Sequence, residues 1–424
     1  MIYDIAGIGI GPFNLGLAAL LEPVKALKSV FLEQKQSFDW HPGMMIPGAT
    51  LQVPFYADLV TLADPASRFN FFCFLKAKNK LIRFGIYDNN YISRKLYNDY
   101  CNWVAAQLNN LYFNTSAQDI QFNKAQGCYE ITANSHGCST TVLAKHIVIG
   151  IGSSPYLPAC TEGLTGNQIF HSSDYLYGKA TISGKDSVAL IGSGQSAAEI
   201  FYDLLEGFPQ SFPKKLNWFT RSARFFPMDF SRLSLEMTSP DYIRYFYHLP
   251  AHIKKGVLKS QDMLYKGINR SLVDRIYQKL YELQEAWDDV PVQLRTNMEL
   301  RSVVKQSEGY GLRFLQTEQG RYYEDTANIV ILATGYAAAQ PCFLNGVKHR
   351  IKWSAEGAFD IAFNYSIDTN GAEIFVQNAE LYTHGFNAPD LGMGPYRNAV
   401  IINTILGYEY YKMEENVTFQ KFGV

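Results

Sequence analysis

Two glycine turns carry the first chemistry legible in this chain. In "YDIAGIGIGPFNLGLAALLEPV", Gly9 and Gly11 take the first two positions of a G-x-G-x-x-G fingerprint, and Asn14 stands at the third. Glycine lets the backbone turn tightly after a strand and approach a pyrophosphate, where the free N–H groups and dipole of a helix N-terminus favour an anion. The next strand, "SVFLEQK", ends at Glu33, 22 residues past Gly11, where a carboxylate accepts hydrogen bonds from ribose hydroxyls. A second turn lies in "DSVALIGSGQSAAEIFYDLL", where Gly192, Gly194 and Ala197 fit G-x-G-x-x-A. The strand after it, "LNWFT", leads to Arg221, with Arg224 close by. An arginine here, rather than an acid, suits a 2′-phosphate, so NADPH is expected over NADH. Plainer roles remain open: glycine turns also serve packing, and two arginines can be solvated surface.

Such turns need sheets to hold them. "KHIVIGIGSSPYLP" and "ANIVILATGYAAAQP" read as strands that end on glycine, one before the second turn and one after it. The expected fold is α/β: a flavoprotein with two dinucleotide-binding domains, Rossmann-like for FAD and for NADPH, and a small helical substrate-binding region. Residues 1–158 and 331–424 are expected to form a discontinuous FAD domain. Residues 159–230 and 291–330 would form the NADPH domain. Residues 231–290 would form the helical region, with Ile276, Leu280 and Leu283 on one face of its last helix.

Composition excludes other classes. The 424 residues are 47% hydrophobic and 18% charged, with a net charge of -1, so neither nucleic acid nor an anionic membrane is an expected partner. The N-terminus lacks a signal-peptide pattern, and no uncharged apolar run reaches ~18 residues. The six cysteines form no C-x-x-C pair, and a reduced, cytoplasmic protein is expected. The eight histidines show no metal-ligand spacing, so no metal is expected. Ser193 and Ser196 sit in a phosphate turn rather than a nucleophile elbow.

FAD and NADPH without a redox C-x-x-C point to flavin monooxygenation. "GIGIGPFNLGLAALLEP", "FLEQKQSFDWHPGMMIPGATLQVPFYADLVTLADPASRFNFFCFL", "GSGQSAAEIF", "ATGY" and "THGFNAPDLG" together resemble the N-hydroxylating monooxygenases of siderophore biosynthesis, the lysine, ornithine and diamine N-hydroxylases. The resemblance spans nearly the whole chain and is closest to the diamine enzymes. It implies FAD contacts from Gly9, Gly11, Pro12, Phe13 and Asn14, from Glu33, Lys35, Trp40, His41 and Met44, and from Gln52 near the isoalloxazine. Ala117 would offer backbone to the adenine. Ser193, Gly194, Gln195, Ser196 and Arg221 would meet NADPH, and Tyr336, Pro389, Asp390 and Leu391 would complete the cofactor set. Gln52 and Asn269 are the implied catalytic residues. Asn269 would touch substrate and nicotinamide ribose, although it also suits a helix N-cap.

The resemblance also implies a mechanism. NADPH reduces FAD, O₂ forms a C4a-hydroperoxide, and a neutral amine attacks its distal oxygen. A Lys-like amine titrates near ~10.4, so the site must favour its neutral form.

Departures from the amino-acid hydroxylases bear on the substrate. Their carboxylate-binding lysine is Ala57 here, and two further polar positions become Leu235 and Gly392. All three changes remove groups suited to an α-amino-acid head, so putrescine or cadaverine is expected. Asp390 or Glu236 would meet the second ammonium. Histamine, lysine or ornithine, or plain NADPH oxidation without oxygen insertion, are the alternatives. A homo-oligomer, tetramer or dimer, is also implied.

Overall fold

The computed structural model describes residues 1–208, 212–338 and 340–424. Its first sheet is built on β1 (Ile2–Ile8), whose second half is wholly buried. β2 (Ser29–Leu32) pairs parallel to β1 on one side and Cys138–Ile149 does so on the other. Leu111–Tyr112 extends the sheet beyond β2. Thr115–Asn123 and Cys128–Ser135 fold back antiparallel onto Cys138–Ile149, and Ile374–Val376 joins that strand from the distant C-terminal part. Helix α1 (Pro12–Leu21) is buried along nearly its whole length. That is why its sequence is apolar on every side. A Cβ at Gly16 would stand 2.7 Å from the Leu59 carbonyl, so glycine lets the Phe55–Leu59 segment cross the helix closely.

The second sheet is parallel throughout, in the order Val292–Arg295, Lys215–Phe219, Ser187–Ile191, Ile329–Leu332, Ile169–His171. An antiparallel sheet of Met298–Gln306, Gly309–Gln316 and Arg321–Ala327 packs beside it through Phe314 and Leu312. Two sheets of this kind, each opening on a glycine turn, match the expected fold class.

Two expected boundaries move. Ile329–Leu332 is fully buried between two strands of the second sheet, so that unit ends after Leu332 and a division at 330 would cut the strand. The 231–290 stretch also divides. Leu272, Ile276 and Leu283 of helix Arg270–Ala286 bury in the core of the second sheet, against residues such as Phe201 and Leu204. By contrast, Tyr242, Phe246 and Leu258 form a separate cluster with Phe386 and Phe422 from the C-terminal part. An amphipathic pattern shows that a helix buries one face; it does not say which sheet receives it.

The chain runs from the first sheet to the second near Ser153 and comes back near Tyr336. The crossings, Ser153–Pro155 and Tyr336–Ala338, pair antiparallel as a two-stranded ribbon. Elsewhere along the seam a Cβ at Gly43 would lie 1.8 Å from the Ser173 carbonyl, so the "WHPGM" loop docks directly on the second unit. Among the described residues no helix is long and apolar enough to cross a membrane.

Candidate active site

The first cleft, about 550 Å³, opens at the N-terminus of α1. Gly9 has φ 86°, and a Cβ there would stand 2.6 Å from the Gly150 carbonyl, so only glycine makes this turn. No side chain caps α1 and its first turn carries no acid, which leaves its N–H groups and positive dipole end facing the cleft. Gly11, Pro12, Phe13, Glu33 and Lys35 line one side. Trp40, His41, Ala117 and Tyr336 line the other. The Glu33 carboxylate accepts from the Ile10 and Lys35 backbone N–H groups at 2.7 and 3.0 Å, which fixes it at the cleft wall with lone pairs to spare.

Two residues expected among the FAD contacts lie elsewhere. Asn14 is fully buried behind the turn, where its Nδ2 donates to the Gly9 carbonyl at 2.8 Å and its Oδ1 accepts from Gln377 at 2.7 Å. It packs against Gly150, tying α1 to the sheet where the fingerprint's third glycine would allow close contact. The Met44 side chain is buried in the core of the second sheet, and its carbonyl accepts from Arg94.

The second cleft, about 760 Å³, opens on the other glycine turn. Gly192 has φ 134°, and a Cβ there would meet the Ala333 carbonyl at 2.0 Å. Gln52, Ser193, Gly194, Gln195, Ser196 and Arg221 line this cleft. So do Lys266 and Arg301, two cations that sequence reasoning missed. Lys266 belongs to the "YKGIN" stretch already singled out for Asn269, but no motif marks Arg301, which arrives from the antiparallel sheet.

Tyr336 lines both clefts. Its ring lies edge-on to His41 at 5.8 Å and to His171 at 5.1 Å. His41 opens on the cleft yet is hemmed in by protein. Desolvation, together with the Arg94 and Lys35 charges, lowers its pKa to about 4, so the imidazole is neutral at neutral pH.

At the wall of the second cleft, Gln52 Nε2 meets Met228 Sδ at 2.8 Å and the Gln195 Oε1 and Gly267 carbonyl oxygens at 3.4 Å each. Asn269 stands at the N-cap of Arg270–Ala286, but its side chain makes no capping bond. Its backbone N–H donates to Gln195 Oε1 at 2.8 Å. The helix-capping alternative is therefore not what the geometry uses.

The positions that depart from the amino-acid hydroxylases divide into two groups. Ala57 is buried, and a Cβ at Gly392 would stand 3.4 Å from the Ala57 Cβ and 3.0 Å from Asp390 Oδ1. Ala57, Asp390 and Gly392 thus meet at the start of helix Met393–Leu406, with Pro389 and Leu391 on the same loop. Pro389, Asp390 and Leu391 line neither cleft in its described form. Asp390 accepts from the Gly392 N–H at 2.7 Å, and burial raises its pKa. Leu235 and Glu236 do not join them. Leu235 is exposed. The Glu236 carboxylate accepts from the Phe419 and Gln420 backbone N–H groups, both at 2.9 Å, so it clasps the C-terminal tail and is not free to meet a substrate.

The loop bearing Asp390 is held from behind by Arg397. This residue is 1% exposed, pairs with the equally buried Glu380 at 2.8 Å, donates to the Ala388 carbonyl at 2.7 Å and lies over the Phe13 ring. His384 sits beneath, stacked on Tyr365. Burial, and the nearby Arg397 and Lys254 charges, push it down to about 3 against the Phe363 carbonyl. An unfolded histidine titrates near ~6.5, so between the two values unfolding takes up a proton. Stability therefore falls as pH falls through that window. Replacing His384 by Asn is expected to flatten the slope by up to ~1.4 kcal/mol per pH unit, read from urea unfolding at about pH 7 and about pH 5. Equal slopes in variant and parent would contradict this.

Among the described residues no group of three or more His, Cys, Asp or Glu could hold a metal ion. Comparison with known proteins matches this arrangement to one family. Residues 1–338 match the L-lysine 6-monooxygenase/L-ornithine 5-monooxygenase family. The putrescine N-hydroxylase of Shewanella oneidensis is 43% identical over 423 residues, 99% of this chain and 84% of that protein. The L-lysine N6-monooxygenase of Escherichia coli is 31% identical, over 97% of this chain and 96% of its own. Among solved structures, the FAD-bound cadaverine monooxygenase of the Erwinia amylovora desferrioxamine pathway superposes with a TM-score of 0.97 at 45% identity, covering 100% of this chain and 99% of its own. With its two glycine-turn clefts meeting at Tyr336, the chain belongs to the lysine and ornithine N-monooxygenase family.

Proposed function

We propose that this chain uses FAD, NADPH and O₂ to N-hydroxylate a primary diamine of the putrescine and cadaverine class, an early step of hydroxamate siderophore biosynthesis. The observation that carries the substrate is the meeting of Ala57, Gly392 and Asp390. Among the described residues the cation nearest this loop, Arg397, is committed to Glu380, so an α-carboxylate would go unpaired at a cost of ~2–5 kcal/mol. A second ammonium would find the Asp390 carboxylate.

The first cleft fits FAD. Its pyrophosphate would lie at the α1 N-terminus, its ribose by Glu33, and its adenine along the Ala117 strand. The second cleft fits NADPH, with the 2′-phosphate near Arg221 and with Lys266 and Arg301 adding charge. Flavin, when bound, supplies oxygen transfer with electrons drawn from NADPH. The protein's part is positioning and desolvation. Gln52 stands at the second cleft and Asn269 is joined to it through Gln195, where amide groups can orient amine and cofactor. A buried wall disfavours the ammonium form, so the amine is presented with its lone pair free. The same burial excludes water.

The free thiols of all six cysteines support a reducing, cytoplasmic location. Helix Leu81–Tyr87, with Ile82, Ile86 and Tyr87 all strongly exposed, supports a homo-oligomer, dimer or tetramer.

The test is a panel. Purified holoenzyme with FAD and NADPH is offered putrescine, cadaverine, histamine, lysine or ornithine, and hydroxylamine and H₂O₂ are both measured. The diamines should give the most hydroxylamine. Faster turnover of lysine or ornithine overturns the argument from Ala57. NADPH oxidation that yields only H₂O₂ overturns the monooxygenase reading.

A further inference from the structure

Next to Gln195 lies a buried ion pair that lines neither cleft. Arg94 begins helix Arg94–Ala105, which packs on α1 in the first unit. Glu199 lies in helix Gln195–Glu206 of the second unit, one turn beyond Gln195. Their side chains are 12% and 3% exposed, and Arg94 donates to Glu199 Oε1 at 2.9 Å. Arg94 also donates to the Met44 carbonyl. The pair therefore ties the "WHPGM" loop and the first unit to the helix that opens the second cleft.

The same Glu199 oxygen accepts from Gln195 Nε2 at 2.9 Å. This decides which way the Gln195 amide faces. With its NH₂ end on Glu199, its carbonyl end points to the Asn269 N–H at 2.8 Å and to Gln52 Nε2 at 3.4 Å. The Asn269 backbone N–H can only donate, so a flipped amide would set donor against donor. One carboxylate thus fixes one amide, whose carbonyl holds the Asn269 backbone N–H at 2.8 Å and adds to the Met228 and Gly267 contacts that seat Gln52. A surface ion pair would be worth little here. A buried pair that sets the register of a polar chain is the better-attested use of such a pair.

We propose that Arg94 and Glu199 are positioning residues for oxygen transfer, holding Gln195 in the one orientation that places Gln52 and Asn269. The inference rests on the monooxygenase reading above. Its signature is a loss of coupling between NADPH oxidation and hydroxylation, since misplacement of ~1 Å by a remote change can cost up to ~10²-fold at the chemistry.

The experiment measures hydroxylamine and H₂O₂ per NADPH, the amine KM and FAD content in holoenzyme. Glu199→Leu should lower hydroxylamine per NADPH about tenfold. H₂O₂ should rise to match, and FAD content should hold. Glu199→Gln, which keeps an acceptor oxygen, should recover most of the yield. The double variant Glu199→Leu/Gln195→Leu should be no worse than Gln195→Leu alone, because the carboxylate acts through that amide. Unchanged yield in Glu199→Leu, or losses that multiply in the double variant, overturn the proposal. If Glu199→Leu fails to hold FAD, Glu199→Asp decides, since it draws the oxygen back by one methylene. A severalfold loss of yield then supports positioning, and parental yield refutes it. A parent enzyme that hydroxylates while its Glu199 variants match it sinks only this inference. A parent that makes no hydroxylamine from any amine sinks the monooxygenase reading as well.

Discussion

Replacing Ala57 by lysine is expected to lower kcat/KM for putrescine and cadaverine by at least about 30-fold, or ~2 kcal/mol. Ala57 is 3% exposed, so the new side chain has no route to bulk water at its root. It would grow beside Gly392, where a Cβ built on that glycine stands 3.4 Å from the Ala57 Cβ and 3.0 Å from Asp390 Oδ1. An ammonium placed there pairs with Asp390, the anion proposed to receive the distal ammonium of the substrate. The loss should fall mainly on KM, because the reacting end of the diamine is not touched. Lysine and ornithine should improve relative to the diamines, since a cation now awaits their carboxylate. Hydroxylamine formation across the amine panel reads all three effects. Unaltered diamine kinetics would remove Ala57 from the substrate wall.

Replacing Arg397 by methionine should cost ~3–5 kcal/mol of stability, the usual penalty for removing one partner of a buried pair. Glu380, also 1% exposed, would be left with an uncompensated charge. Burial already raises the Glu380 pKa against the pull of Arg397, so the variant's carboxyl should take up a proton instead of remaining ionised. The Ala388 carbonyl and the Phe13 ring lose their contacts in the same stroke. A lower unfolding midpoint together with a lower FAD content is expected, measured by calorimetry and by absorbance of purified protein. The double variant Arg397→Met/Glu380→Leu should regain much of the lost stability, because the orphaned charge goes with it. If the single variant were as stable as the parent, the pair would be ornamental.

How much of this was legible in the sequence depends on the distance over which each residue acts. Gly9, Gly192 and Glu33 act within one strand–turn–helix unit, so local spacing placed them at the cleft walls. Asn14 has the same spacing but points inward, because Gly150, far along the chain, leaves room for its amide. Met44, expected beside FAD, buries its side chain in the core of the second sheet, a partner that its local sequence does not name. Leu235 and Glu236 lie in a helix whose neighbour is the chain terminus, and no local signal announces a tail returning across nearly two hundred residues. Arg94 and Arg301 lie in no motif, and Glu199 and Lys266 lie in stretches read for other residues. Each gains its meaning only from a partner on another element. A strand such as Ile329–Leu332 was visible as a strand, but sheet membership is a pairing decision that one apolar run cannot reveal.

The two chain crossings have a mechanical consequence. Ser153–Pro155 and Tyr336–Ala338 are hydrogen-bonded side by side, so they bend as one strap and not as two independent tethers. At its base stands Tyr336, the residue common to both clefts. A shift of the strap at Tyr336 therefore alters the walls of both clefts at once. The Arg94–Glu199 pair spans the same seam away from the strap, so the two units are joined at a second, buried point.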